Sequence, residues 1–201
     1  MKFLEHMSQL EALYGQPSEA ARIKVAPRLT PAYRSWIERS RFCVLATVGQ
    51  DGTDSSPRGD DGPVVRVIDD RTLALPDWRG NQRLDSLRNI VADGRCSLMF
   101  FVPGSNNVIR VNGHARLTDD ARLRGSFARG TLLPTTVAVI GIGEVYSQCA
   151  RALMRSRFWA AGNEAEGLPG VGEILAEISD GRFGGAGYDR DWSQRAKGTM
   201  W

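Results

Sequence analysis

The amino-acid sequence predicts a mainly-β (α+β) fold: one domain, residues 1–201, built as a small antiparallel barrel, closed or split, with flanking helices. Between residues 41 and 146, apolar residues form short runs bounded by turn residues, which is typical of strands. On either side of this region, and once within it, the apolar spacing changes to that of helices. No Gly-rich dinucleotide or phosphate-loop motif indicates a parallel βαβ sheet, so we expect antiparallel pairing.

The composition restricts the class of protein. The 26 Lys and Arg residues leave a net charge of +3 against 23 Asp and Glu, and the arginines are scattered among acids, which does not favour nucleic acid as a partner. Glu5 and His6 interrupt the apolar start, and no segment approaches the ~20 apolar residues of a membrane span. Three cysteines without a CxxC pair predict reduced thiols and no metal site, with Cys149 buried and structural. We therefore expect a cytoplasmic protein without a membrane partner.

Residues 1–40 are predicted to form two helices. In the first, apolar residues recur at helical spacing and stop at Gly15, so this face should pack on the body of the protein. Thr30 and Pro31 have the pattern of an N-cap and a first-turn proline, and they open a second helix that ends near Ser40.

Residues 41–160 are predicted to form the barrel core with its helices. The strand-like runs are 42–48, 64–68, 72–76, 95–102, 107–117 and 135–146. The second and third runs should pair as a hairpin. Gly113, Gly141 and Gly143 lie in the two longest runs, where we expect bends or bulges.

Three helices are predicted among and after the strands. The first ends at Gly94 and places on one stripe the side chains of Leu84, Leu87, Arg88 and Val91. Residues 147–161 are predicted to form a strong helix, and residues 172–181 a short one. The Gly-rich end of the segment 161–201 is expected to be a tail that is ordered only by packing on a partner.

Arginines and turn residues concentrate in three segments, 56–60, 65–69 and 75–84. A bound dianion needs fixed forks of donors, which arginine supplies, and free backbone amides such as those of a helix start near Asn81. Arg66 and Arg83 are the natural pair for a phosphate. From the residues alone, an alternative stays open: the arginines form surface ion pairs, worth ~0–1 kcal/mol each, with Asp60, Asp69 and Asp85.

The order of these segments resembles the pyridoxamine 5′-phosphate oxidase-like FMN-binding split-barrel family. The resemblance spans residues 30–160 and rests on ATVGQDGTDSSPRGD, VVRVIDDRTLALPD, GNQRLDSLRNI, LMFFVPGSNNVIRVNGHARL and SQCARALMRSRFW. Within it, SPRGD and GNQRLDSLRNI resemble a bacterial subgroup most specifically. The resemblance implies a split β-barrel, FMN as the cofactor, and a homodimer with the flavin at its interface.

Carried over residue by residue, the resemblance implies where the flavin binds. The strand of Arg66, Val67 and Ile68 lies against the flavin, with backbone groups at the polar edge of the ring. Arg66 and Arg83 hold the phosphate, and Asn81 reaches the phosphate or the ribityl hydroxyls.

Further positions follow from the same resemblance. Pro76 and Asp77 line the cofactor, and Leu84 closes its apolar side. Ser56 and Arg58 approach the isoalloxazine, where Arg58 is placed to bind an anionic substrate. From the residues alone, Arg58 is equally well explained as a turn residue paired with Asp60.

The partner subunit is expected to contribute Arg110, Asn112 or Gln148 to the flavin. The chain lacks the Arg-x-His segment with which pyridoxamine phosphate oxidases bind pyridoxal phosphate, and Val108 stands where those enzymes carry a polar flavin contact. The resemblance therefore implies the fold and the cofactor but not that named reaction.

Two functions are compatible with these features. One is an FMN-dependent oxidoreductase acting on a small molecule, and the alternative is a non-catalytic flavin store or sensor. Because the flavin itself carries the redox chemistry, no acid–base residue needs to be visible and no catalytic residue is assigned. A barrel that binds haem or deazaflavin is disfavoured by arginines suited to a terminal phosphate.

Overall fold

A computed structural model describes all residues, 1–201. Its helices are α1 (Met7–Leu13), α2 (Glu19–Ile23), α3 (Pro31–Arg39), α4 (Asp85–Ala92), α5 (Ala121–Gly125), α6 (Arg151–Arg155), α7 (Val171–Ile178) and α8 (Ala186–Gly198). Its strands are β1 (Phe42–Gly49), β2 (Gly52–Gly59), β3 (Arg66–Val67), β4 (Thr72–Asp77), β5 (Arg95–Phe101), β6 (Val108–Thr118) and β7 (Thr136–Gln148).

The seven strands form one antiparallel sheet in the order β2-β1-β5-β6-β7-β4-β3. The end strands β2 and β3 do not pair with each other, so the barrel is open along one side. The predicted mainly-β, antiparallel split barrel with flanking helices is thus confirmed. The hairpin of β3 and β4 is also confirmed, although β3 is only two residues long.

The core fills the inside of this sheet because alternate residues of each strand point inward. In β1, Cys43 and Leu45 are buried, and Phe100 of β5 and Ile140 of β7 meet them in the same cluster. Ile37 of α3 covers part of the cluster and is completely buried. Burying a side chain of this size stabilises the fold by about 1.5–3 kcal/mol.

A bulge between Asn112 and Gly113 interrupts the pairing of β6 with β7, as expected from the glycines. A Cβ atom on Gly113 would lie 2.1 Å from the carbonyl oxygen of Gly141 on the neighbouring strand. No side chain fits in this space, so glycine is required for the close approach of the two backbones.

Strand β2 is not among the predicted strands. Its segment contains Gly, Ser, Pro and Asp, which are depleted in strands and typical of turns. The structure pairs it with β1 along its whole length, from Phe42 opposite Gly59 to Gly49 opposite Gly52. As an end strand with an exposed face it needs few apolar residues, which is why its composition conceals it.

The predicted stripe on α4 is not its buried face. Ser86 and Ile90 are buried, whereas Leu84 and Val91 are exposed. The helix also begins later than expected, at Asp85, and not near Asn81.

The two ends of the chain depart most from prediction. The apolar residues of α1 are all exposed, so within one chain this helix does not pack on the body. Residues 147–161 do not form one long helix, because Ser147 and Gln148 continue β7 by pairing with β6. The Gly-rich tail is not a simple loop, since α8 spans Ala186–Gly198.

The cysteines are free, and two of them are buried. Burial raises the pKa of the Cys43 thiol to about 12, against a smaller lowering effect of Arg58, and burial raises the pKa of Cys96 to about 11. Cys149 is exposed, so the expectation of a buried structural residue there is wrong. None of the helices has the length and apolar character needed to cross a lipid bilayer.

Candidate functional site

A cleft of about 790 Å³ opens between β2, the end of β4, the segment 78–84 and α4. We call it the main cleft. Its sixteen lining residues are Ser56, Pro57, Arg58, Asp77, Trp78, Arg79, Gly80, Asn81, Gln82, Leu84, Leu87, Arg88, Val91, Leu117, Thr135 and Thr136. The volume is within the roughly 300–1,000 Å³ of small-molecule sites. It brings together five predicted residues: Ser56, Arg58, Asp77, Asn81 and Leu84.

An ion pair joins the two strands at one end of the main cleft. Arg58 Nη1 of β2 donates to Asp77 Oδ1 of β4 at 2.5 Å, and the two side chains are 20% and 17% exposed. Arg58 Nε also donates to Ser56 Oγ at 3.2 Å. Arg58 is therefore not the turn residue paired with Asp60 that the sequence offered as an alternative. It is a half-buried side chain held toward the cleft by two partners.

The Ser56 hydroxyl connects this ion pair to the base of α4. Its Oγ lies 2.9 Å from Oγ of Ser86, which is 3% exposed. Ser86 Oγ in turn donates to Asp54 Oδ2 on β2. A buried hydroxyl needs such partners, because an unpaired one costs about 1–3 kcal/mol.

The start of α4 forms another side of the main cleft. Gln82 and Leu84 have φ values of +60° and +63°, the left-handed region that side chains other than glycine rarely adopt. No side chain caps this helix, and its first intrahelical bond runs from Arg88 N to Leu84 O at 2.8 Å. The amides before Arg88 therefore have no helical acceptor, and such amides at a helix start favour an anion.

The arginines give the main cleft an excess of positive charge. Arg58 is compensated by Asp77, but Arg79 and Arg88 also line the cleft and neither forms an ion pair. Arg83 lies outside the lining, 77% exposed, with Nε 2.8 Å from Asp85 Oδ2. This is one of the surface pairs that the sequence offered as an alternative.

The stripe predicted on α4 has a different role from packing. Leu84, Leu87 and Val91 line the main cleft together with Leu117 of β6. They form the apolar wall of the main cleft. Their helical spacing is as predicted, but the stripe borders an open cleft and not the core.

A second cleft, of about 490 Å³, lies on the other side of Trp78 and contains Arg66 and Val67. Arg66 Nη2 donates to Ser126 O at 2.6 Å, and its guanidinium lies 4.1 Å from the ring centre of Phe127. The structure therefore does not bring Arg66 and Arg83 to one point within the chain. Their common role at a phosphate stays a prediction.

Two other predicted residues lie outside the main cleft. Pro76 is buried in β4 and lines a small neighbouring cavity with Arg58 and Arg79. Ile68 follows β3 and is half-exposed, away from both clefts.

The residues expected from a partner subunit lie on β6 and β7, away from the main cleft of their own chain. Arg110 Nη1 lies 3.4 Å from the hydroxyl of Tyr146, and Gln148 accepts from Arg110 Nε at 3.1 Å. Asn112 donates to Glu144 at 2.7 Å.

Sequence reasoning missed three prominent residues of this site. Trp78 separates the two clefts, with its Nε1 donating to Asp60 Oδ2 at 3.2 Å, and Arg79 and Arg88 supply the unpaired charge. All three lie inside or next to segments already singled out. Helical spacing places Arg88 on a stripe with apolar residues, and nothing local to Trp78 or Arg79 indicates that these side chains face a cleft.

Comparison with known proteins identifies the relatives of this chain. The family model of pyridoxamine 5′-phosphate oxidase matches residues 29–149. A search of curated proteins finds no match.

Solved structures with a similar fold include HupZ of Group A Streptococcus, 18% identical with a TM-score of 0.49, over 59% of this chain and 93% of HupZ. A candidate pyridoxamine 5′-phosphate oxidase of Lactobacillus delbrueckii is 22% identical with a TM-score of 0.49, over 60% of this chain and 95% of that one. An FMN-binding protein of Syntrophomonas wolfei is 15% identical with a TM-score of 0.44, over 58% and 88%.

The family model covers more than half of the 201 residues, including every strand of the barrel and every residue that lines the main cleft. The chain belongs to the pyridoxamine 5′-phosphate oxidase family.

Proposed function

We propose that this protein is a cytoplasmic FMN-binding flavoprotein that works as an oxidoreductase on a small substrate. One observation carries the proposal: in a chain of this family, the main cleft combines an apolar wall with unpaired arginines and the free amides of a helix start. FMN has the matching chemistry, since an apolar ring system is joined to a phosphate dianion.

The phosphate fits the α4 end of the main cleft. Arg79 and Arg88 have no ion-pair partner there, and Asn81 lies beside them. Arg83 is close in sequence, and its exposed pair with Asp85 is worth only ~0–1 kcal/mol, too little to compete with a dianion. Charged hydrogen bonds of this kind are worth roughly 1.5–3 kcal/mol each.

The flavin ring fits the remainder of the main cleft. Leu84, Leu87 and Leu117 supply apolar surface that excludes water, and Ser56 and Arg58 supply hydrogen-bonding groups beside Asp77. When bound, FMN accepts and returns the electrons of the reaction, so the protein has to place a substrate and exclude competing reactions. The second cleft beyond Trp78, with Arg66 and Val67, adjoins this site and is suited to a small anionic substrate.

The proposal includes a homodimer whose second subunit completes the site. Arg110 and Gln148 form a polar pair on the outer part of β6 and β7 and do not reach the main cleft of their own chain. The apolar side chains of α1 and of the residues before it, among them Met7 and Phe3, are exposed in the single chain. A second copy would cover apolar surface and bring further donors to the flavin.

The proposal is tested with the purified protein. We expect a yellow protein that releases FMN and not FAD, because the chain has no dinucleotide motif. Anaerobic mixing with NADH, NADPH or pyridoxamine phosphate should bleach the flavin band with at least one donor, and reoxidation should then allow turnover. A protein that binds FMN but is never reduced would be a flavin store or sensor, and a colourless protein that takes up no FMN would refute the proposal.

A further inference from the structure

A continuous chain of hydrogen bonds runs beneath one end of the main cleft. It starts at Arg58 Nε, passes through the hydroxyls of Ser56 and Ser86, and ends at the carboxylate of Asp54. Three of its members belong to β2, and Ser86 belongs to α4.

The two ends fix the direction of every hydrogen bond in this chain. A guanidinium N–H can only donate, and a carboxylate oxygen can only accept. Ser86 gives its single proton to Asp54, so it must accept at its Oγ from Ser56. Ser56 accepts a hydrogen bond from Arg58 Nε and donates its only hydroxyl proton to Ser86.

This direction determines what the main cleft offers to a ligand. Ser56 lines the cleft with a lone pair and without a free proton, so toward the ligand it is an acceptor. Beside it, Nη2 of Arg58 has no partner, since Nε bonds Ser56 and Nη1 bonds Asp77, and it is a donor. An acceptor next to a donor is the complement of an amide or imide edge, in which N–H stands beside C=O.

We infer that Asp54 and Ser86 are positioning residues that hold the Ser56 hydroxyl as an acceptor, so that the main cleft selects the imide edge of the bound flavin ring. This inference rests on the proposed FMN binding. Neither Asp54 nor Ser86 lines the cleft, and both act through Ser56.

The test compares FMN with 3-methyl-FMN, in which a methyl group replaces the imide proton. Affinities are measured by titration of flavin fluorescence for the parent and for Ser86→Ala. The parent should prefer FMN by roughly three- to tenfold, the range of one neutral hydrogen bond. In Ser86→Ala the Ser56 proton is released and can turn toward the ligand, so this preference should fall to less than twofold.

Matched variants separate positioning from folding. Asp54→Asn keeps a carbonyl acceptor for Ser86 and should retain the preference, whereas Asp54→Ala should lose it. Ser55→Ala is the control on β2, because Ser55 is exposed and outside the hydrogen-bond chain. Circular dichroism melting of each variant identifies loss of fold, which would weaken both flavins together.

The outcomes distinguish this inference from the proposed function. A parent that binds both flavins equally, or a Ser86→Ala protein that folds and keeps the parental preference, overturns the inference alone. A parent that binds neither flavin overturns the proposed function and the inference with it.

Discussion

Replacing Arg88 with Ala tests where the phosphate of FMN binds. Arg88 projects from the first turns of α4 into the main cleft and has no ion-pair partner, so the substitution breaks no existing pair in the free protein. It removes a charged hydrogen bond from the complex, a contribution of roughly 1.5–3 kcal/mol, and FMN affinity should fall about 10- to 100-fold. Riboflavin, which has no phosphate, should bind the variant as it binds the parent.

The assay is titration of flavin fluorescence with both ligands, repeated at three other arginines. Arg83→Ala should resemble Arg88→Ala, because the exposed pair of Arg83 with Asp85 is easily exchanged for a dianion. Arg66→Ala separates two placements of the phosphate: a change of less than threefold is expected with Arg66 held by Ser126 in the second cleft, whereas a fall like that of Arg88→Ala would support the phosphate site shared with Arg83 that the resemblance implies. Arg122→Ala, a residue of α5 that lines neither cleft, is the surface control.

Two results would refute this placement of the phosphate. If Arg88→Ala binds FMN as tightly as the parent, the phosphate does not lie at the α4 end of the main cleft. If riboflavin affinity falls by the same factor as FMN affinity, the substitution acts on the fold and not on a phosphate contact.

Four further predictions concern assembly, packing and the thiols. Light scattering should show a dimer, and a monomer that holds flavin tightly would contradict a site completed by a second copy. Gly113→Ala should lower the free energy of unfolding by about 1–3 kcal/mol, since the added methyl meets the carbonyl of Gly141; a denaturant curve unchanged from the parent would disprove the tight approach. A thiol reagent at pH 8 should label Cys149 in the native protein and all three cysteines after denaturation, because burial raises the pKa of Cys43 to about 12 and that of Cys96 to about 11. Since the unfolded Cys43 thiol ionises near 9.0 and the folded one only near 12, Cys43 should lower the free energy of unfolding between these pH values by up to about 1.4 kcal/mol per pH unit; Cys43→Ala should remove this contribution and leave only that of Cys96, which ends near pH 11.

The barrel was predictable because its signals are local. Residues 42–48, 95–102 and 107–117 are apolar runs whose side chains must leave water wherever they fold, so they indicate strands without knowledge of their partners. The N-cap Thr30 is equally local, and the structure shows its hydroxyl accepting from Tyr33 N at 3.3 Å. Strand β2 lacks such a signal, because only its pairing with β1 makes it a strand.

The candidate site was predictable in part. The segments 56–58 and 77–84 were identified from arginines and turn residues, and the structure places most of them around one cleft. The spacing of Leu87 and Val91 indicated an apolar stripe but could not show whether it faces a core or a cavity. Burial is a property of the whole fold, and here Ile90 and Ser86 take the buried face of α4.

The sequence by itself determined the class of fold, the bounds of most strands and the region that carries the arginines, because hydrophobic periodicity and turn chemistry act over a few residues. Only the tertiary structure decided which arginine faces which cleft. Neither the strand of Arg66 nor the helix start next to Arg83 specifies a partner, and in the fold Arg66 meets Ser126, 60 residues away in the chain, while Arg83 meets Asp85. The direction of a side chain depends on partners that only the folded chain brings within hydrogen-bonding distance.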